Sequence, residues 1–234
     1  MKNSERYSSL KDRLDELGKN LLPNPDPNCD YSIKDEDLTK AYCVLSHAEI
    51  EAYFEDIVYD LVSRAFNEWE NDNSLVSPVI FHLAINYNNV EWKKKDKKTI
   101  PPYSTMVSKS YHYLTNSIIK GNDGIKEKNL KKLFSPIGFE INDALQNMLN
   151  ALGSNRGDIA HNSSSKLKNK LNKHIDPVTQ EKEIKQILKA LGDFDNALNK
   201  YCQIHNTNPT MFGVHKKSNR LIEIYRHFKS FFTK

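Results

Sequence analysis

"DEDLTKAYCVLSHAEIEAYFEDIVYDLVSRAFNEW", residues 35–69, decides the fold class. Leu38, Tyr42, Leu45, Ile50, Tyr53, Phe54, Ile57, Val58, Leu61, Val62 and Ala65 form a wide apolar stripe at helical spacing. Asp35 or a neighbour supplies an N-cap. The stretch outruns the usual globular helix, so it predicts a central helix or a pair of helices.

The flanks carry the same period. In "SSLKDRLDELGK" (8–19), Leu10, Leu14 and Leu17 make one apolar face, and Gly18 is the predicted stop. "LLPNPDPNCDYS" (21–32) has three prolines in close succession and predicts an extended loop. "STMVSKSYHYLTNSIIKG" (104–121) reads as a helix, and "EKNLKKLFSPIGFE" (127–140) as a short helix broken at Pro136. Ile141, Leu145, Met148, Leu149 and Leu152 predict another helix, which Gly153 can terminate. "TQEKEIKQILKALGDFDNALNKYCQIH" (179–205) predicts a further long helix. "VIFHLAINY" (79–87) is ambiguous, because Phe81, Leu83, Ile85 and Tyr87 alternate while its length also suits a short helix.

These elements predict one all-α helical bundle over 1–234, with a core of about 35–201. An N-terminal helix and loop occupy 1–34, an irregular insertion 71–103, and a basic amphipathic helix 205–234.

At 38% apolar and 27% charged residues, no stretch is apolar enough for a membrane span. The opening "MKNSERYSSLKDRLDELGK" has no signal-peptide pattern, and Cys29, Cys43 and Cys202 read as reduced thiols of a cytoplasmic protein. The +4 net charge is mild, but lysines gather at 92–98, 126–132, 166–174 and 215–220. Lys93, Lys94, Lys95, Lys97, Lys98, Lys166 and Lys168 are the candidate RNA contacts, since basic runs sharing one side attract a phosphate backbone. Tyr103, Tyr111 and Tyr113 are read as packing residues, with stacking on unpaired bases the alternative.

The chemistry centres on "LGSNRGDIAHNSSS", residues 152–165, which sets Arg156 five positions before His161. Five helical residues leave two side chains about 140° apart around the axis. Three geometries would let both act on one group: Arg156 ahead of the helix, a bend at Gly157, or a cleft shared by two copies of the chain. Asn155 and Asp158 resemble a capping pair, which favours a helix starting near Asn155, a favourable place for phosphate. Arginine and histidine suffice for RNA cleavage, because RNA supplies its own 2′-hydroxyl nucleophile. Histidine exchanges protons near neutrality, and the guanidinium fork holds phosphate oxygens. No metal-ligand spacing or cofactor motif is present, and none of the remaining histidines is assigned to metal. His47 is read as a core or interface histidine.

"ALGSNRGDIAHN" resembles the R-x4-H motif of the HEPN superfamily (higher eukaryotes and prokaryotes nucleotide-binding). "NLKKLFSPIGFEIND" resembles the approach to that motif in its RiboL-PSP-HEPN type, and "AYCVLSHAEIEAYFEDIVYDLV" the first core helix. The resemblance implies a helical domain that dimerises through the face carrying the motif. It also implies a metal-independent endoribonuclease leaving 2′,3′-cyclic phosphate and 5′-hydroxyl ends, with no cofactor. Toxins and effectors of bacterial antiphage or stress defence are similar, and imply RNA as substrate and an antitoxin or sensor as a further partner. Arg156 and His161 match the two fixed motif positions, while Glu51 and Glu55 match acidic positions of the first helix, from which one can pair with Arg156. Gly157 departs from the pattern, since catalytic members commonly carry a polar residue there. Asp158 then either orients His161 or is a helix cap. The alternative is a non-catalytic HEPN domain that binds RNA or a partner protein.

Overall fold

The computed structural model describes residues 3–71, 77–91, 101–161 and 176–206, the side chains at 87–91, 161 and 202–206 excepted. The described residues are helical with no strand among them: α1 (Glu5–Leu21), α2 (Ile33–Asn71), α3 (Pro78–Glu91), α4 (Tyr103–Tyr113), α5 (Glu127–Phe134), α6 (Asp143–His161) and α7 (Pro177–Asn206). The expected all-α class is the one observed, with α2 the long helix. The stretch 79–87 is helical: Val79, Ile80, Leu83 and Ala84 are buried on one side of α3, a spacing that the alternation masked. Of the predicted 205–234 helix, 205–206 continue α7 and the rest lies beyond the described residues, as do the candidate RNA contacts Lys93, Lys94, Lys95, Lys97, Lys98, Lys166 and Lys168.

Two compact units are present. The first combines Met1–Ile57, Asp123–Lys131 and Ile141–Asn199. Its core draws Leu10 and Leu14 from α1, Ile50, Tyr53 and Phe54 from α2, Leu145 and Leu149 from α6, and Leu191 and Phe194 from α7. Phe54 meets Phe194 edge-on at 5.6 Å between ring centres. Burying one such side chain contributes about 1.5–3 kcal/mol.

A buried carboxylate ties α1, α2 and α7 together in this unit. Asp195 accepts from the Ser4 amide at 2.7 Å, the Ser4 hydroxyl at 2.6 Å and the Tyr53 hydroxyl at 2.9 Å. Ser4 is also the N-cap of α1, its oxygen accepting from the Tyr7 amide at 3.1 Å. Burial and the neighbouring Asp195 raise the proton affinity of the Tyr53 phenol, which therefore remains a donor. Helix α1 runs on past Gly18 to Leu21, so the predicted stop is corrected: Pro23 disfavours helical backbone at Leu22, and the chain leaves there in an extended conformation.

The second unit combines Val58–Asn122, Lys132–Glu140 and Lys200–Lys234. Within it α3 packs on α4, and α4 continues through a π-helical turn, Leu114–Ile119. The Thr115 hydroxyl bonds back to the Tyr111 carbonyl at 2.9 Å, competing with the regular helical ladder at that turn. Phe66 stacks flat on Tyr111 at 4.0 Å, and Trp69 meets Tyr103 edge-on at 6.4 Å. Tyr103 and Tyr111 are therefore packing residues, as read, while Tyr113 is exposed. Pro136 ends α5 as predicted, in a 3₁₀ turn closed by Gly138 at φ +73°, where a side chain would collide with the His82 ring.

Candidate active site

Helix α6 carries the motif, and its start is fixed by Asn142, whose side chain accepts from the Leu145 amide at 2.9 Å. The helix then runs unbroken through Gly153 and Gly157 to His161. Two expectations are thereby corrected. Gly153 does not terminate the helix, because the burial of Leu149 and Leu152 outweighs the about 0.5–1 kcal/mol that an interior glycine costs. Asn155 and Asp158 are interior, half-buried positions and do not cap it. Asn142 and Asp143 occupy the N-terminus, so the free amides of the helix start do not lie beside Arg156. Arg156 is inside the helix, which removes the first of the three geometries. The side chain of His161 lies outside the described residues.

Arg156 belongs to a charged cluster in the first unit. His47, on α2, is buried, and its Nδ1 lies 3.6 Å from Oε2 of Glu51, one helical turn further on. Burial pushes the His47 pKa down to about 4, and the positive charges of Arg156 and Lys126 push in the same direction. His47 is thus neutral at physiological pH. Burial raises the proton affinity of Glu51, with further contributions from Glu55 and Asp123, while Arg156 opposes the shift. Burial and the two cations outweigh Glu51, which therefore does not keep a proton on His47.

Of the residues chosen from the sequence, Arg156, Glu51 and Glu55 fall in this one electrostatic neighbourhood. Asn155 and Asp158 share α6 with Arg156. His47, Lys126 and Asp123 were missed as members of the cluster. A histidine and a glutamate four apart on one helix was the available signal for His47; nothing local signals the other two.

Asp123 and Lys126 reach the cluster because their segment is pinned to α6 and to itself. Asn150 on α6 accepts from the Glu127 amide at 2.9 Å, and Asn129 donates to Asp123 at 2.9 Å. The Lys126 carbonyl accepts from the amides of Asn129 at 2.8 Å and Leu130 at 3.1 Å. Among the described residues, no group of three or more His, Cys, Asp or Glu side chains is arranged to hold a metal ion.

An all-α chain with an R-x4-H pair on one helix, and acidic residues of a long helix near its arginine, fits the HEPN-type domain that the sequence resembles. The model of the RiboL-PSP-HEPN family matches residues 8–193, and the chain belongs to that family. The match begins inside α1, so the N-terminal helix is part of the family domain, which the resemblance from residue 35 onward did not include. No curated protein and no solved structure matches the chain. Membership places the chain among domains with ribonuclease-like or RNA-related functions, which bind RNA and often dimerise. No described helix is long and apolar enough to cross a membrane.

Proposed function

We propose that the chain is a metal-independent endoribonuclease whose active site is completed by a second copy. The observation that carries this reading is the position of Arg156 on the unbroken helix α6, in a cluster with His47 and Glu51. In the reaction, His161 takes the proton from the RNA 2′-hydroxyl, and the oxygen attacks the adjacent phosphorus. Arg156 holds two phosphate oxygens as negative charge builds. The P–O5′ bond breaks and the 5′-oxygen takes a proton from water, giving a 2′,3′-cyclic phosphate and a 5′-hydroxyl end, while His161 returns its proton to solvent. Glu51 and Glu55 set the local field around Arg156, and Asp158 is the candidate to orient His161.

On one unbroken helix a five-residue spacing corresponds to a turn of about 140°, so two helices facing across a dimer bring an arginine and a histidine to one phosphate more readily than one helix does. The cellular role we assign is that of a toxin or effector in antiphage or stress defence in the cytoplasm, held in check by an antitoxin or sensor. The test is incubation of purified protein with RNA and with DNA of the same sequence in excess EDTA, followed by mapping of product ends. Cyclic phosphate ends from RNA, intact DNA and loss of cleavage in both Arg156→Ala and His161→Ala are expected. Cleavage abolished by EDTA, or undiminished in both variants, sinks the mechanism.

Gly157 favours a second reading, a non-catalytic HEPN domain that binds RNA or a partner protein, because the motif lacks the polar side chain common in catalytic members. In that case His161→Ala leaves RNA affinity and any cellular phenotype unchanged.

A further inference from the structure

We propose that Lys126 is a second phosphate ligand, holding the RNA phosphate next to the one bound by Arg156. The inference rests on the reading of Arg156 as a phosphate ligand and extends the site from one phosphodiester to a strand.

Lys126 lies against α6 at Gly153. A methyl group placed on Gly153 would meet Lys126 Cγ at 3.0 Å, Cε at 3.2 Å and Cδ at 3.7 Å. The aliphatic stem therefore lies flat on the helix where there is no side chain, while the residue as a whole is exposed and its amine remains in water. Gly153 and Arg156 are three apart and share a helix face, so the lysine stem crosses α6 one turn before the guanidinium. Both cations lower the proton affinity of the same buried imidazole, which places both within electrostatic reach of His47.

The lysine is also held from its backbone. The Asn150 contact to the Glu127 amide and the two hydrogen bonds on the Lys126 carbonyl fix the segment on α6. Its amine makes no ion pair with any described residue. Glu51, Glu55 and Asp123 lie in the same neighbourhood, and they explain how two cations are tolerated side by side without RNA. A fork and a point charge one helical turn apart suit consecutive phosphates of a single strand.

The test is binding of a single-stranded 2′-O-methyl oligonucleotide, which has RNA's phosphates but no nucleophile, across a salt titration. Wild type is compared with Lys126→Met, which keeps the stem over Gly153, with Lys126→Arg, and with Arg156→Ala. Each lost phosphate contact lowers the slope of log K against log salt by about 0.7. Lys126→Met is expected to lose that increment and Lys126→Arg to retain it.

If Lys126→Met keeps the wild-type slope while Arg156→Ala loses it, the Lys126 assignment is overturned and Arg156 stands as a phosphate ligand. If the pattern is reversed, Lys126 is the phosphate ligand and the role given to Arg156 fails. A lysine that only neutralises the nearby carboxylates shifts the melting temperature in Lys126→Met and leaves the slope intact, which also overturns the proposal.

Discussion

Nδ1 of His47 lies 3.6 Å from Oε2 of Glu51, yet the pair is not a salt bridge at neutral pH. Burial and the cations Arg156 and Lys126 hold the imidazole neutral, with its pKa pushed down to about 4. The folded-state pKa therefore lies below the unfolded value of about 6.5. Between those values the unfolded chain binds the extra proton, so stability rises with pH through that window. The His47 contribution is fully present above about pH 6.5 and is lost as pH falls toward 4, by roughly 3 kcal/mol in all. Urea unfolding at pH 7 and pH 4.5 is expected to show a larger acid loss in wild type than in His47→Asn. Parallel losses in the two proteins would show that His47 does not titrate in this way.

Gly157 has open space around it: a methyl group placed there meets nothing within 4 Å outside its own helix. Because it sits inside α6, Gly157→Ala is expected to stabilise by about 0.5–1 kcal/mol, seen as a melting temperature raised by roughly 1–4 °C. The same space admits an asparagine. Under the ribonuclease reading, Gly157→Asn retains or raises RNA cleavage, and a clear fall in cleavage with unchanged folding would count against a polar side chain at this position.

The Asp195 carboxylate anchors α1 through Ser4 and α2 through Tyr53. Tyr53→Phe removes one hydrogen bond to a charged acceptor and should cost about 1.5–3 kcal/mol. Ser4→Ala removes a contact to the same carboxylate and an N-cap together, and should cost at least as much. Equilibrium denaturation of the two variants checks both values. RNA-end chemistry should be unchanged in each, since neither residue belongs to the Arg156 cluster.

How much of this was legible in the sequence follows from the range of the forces involved. The stripes of α1, α2, α6 and α7 were readable because burial periodicity is written along the chain: Leu10, Leu14 and Leu17, or Leu145, Leu149 and Leu152, lie one or two turns apart. The glycine stops failed because whether a glycine ends a helix depends on what packs there. Gly153 is covered by the Lys126 stem, and Gly18 precedes the true stop at Pro23. Arg156 was found through a local motif. Lys126 and Asp123 were not, because the hydrogen bond from the Glu127 amide to Asn150 and the Lys126 stem over Gly153 bring their segment to α6, and no spacing rule encodes either contact.

The unbroken course of α6 from Asp143 to His161 makes the two-copy cleft testable by complementation. If each active site takes Arg156 from one protomer and His161 from the other, a mixed dimer of Arg156→Ala and His161→Ala contains one doubly altered site and one intact site. Random re-association of equal amounts of the two inactive variants should then restore roughly a quarter of the wild-type sites, as two-fold symmetry requires. If both residues of a site come from the same helix, every site in the mixture carries one substitution and cleavage stays absent. Refolding the variants together and separately, then assaying RNA cleavage in EDTA, distinguishes these outcomes. Size-exclusion chromatography with light scattering on the same samples establishes that dimers formed. A monomer that cleaves RNA at wild-type rate would remove the paired cleft altogether, and would require a bend near Gly157 to bring Arg156 and His161 to one phosphate.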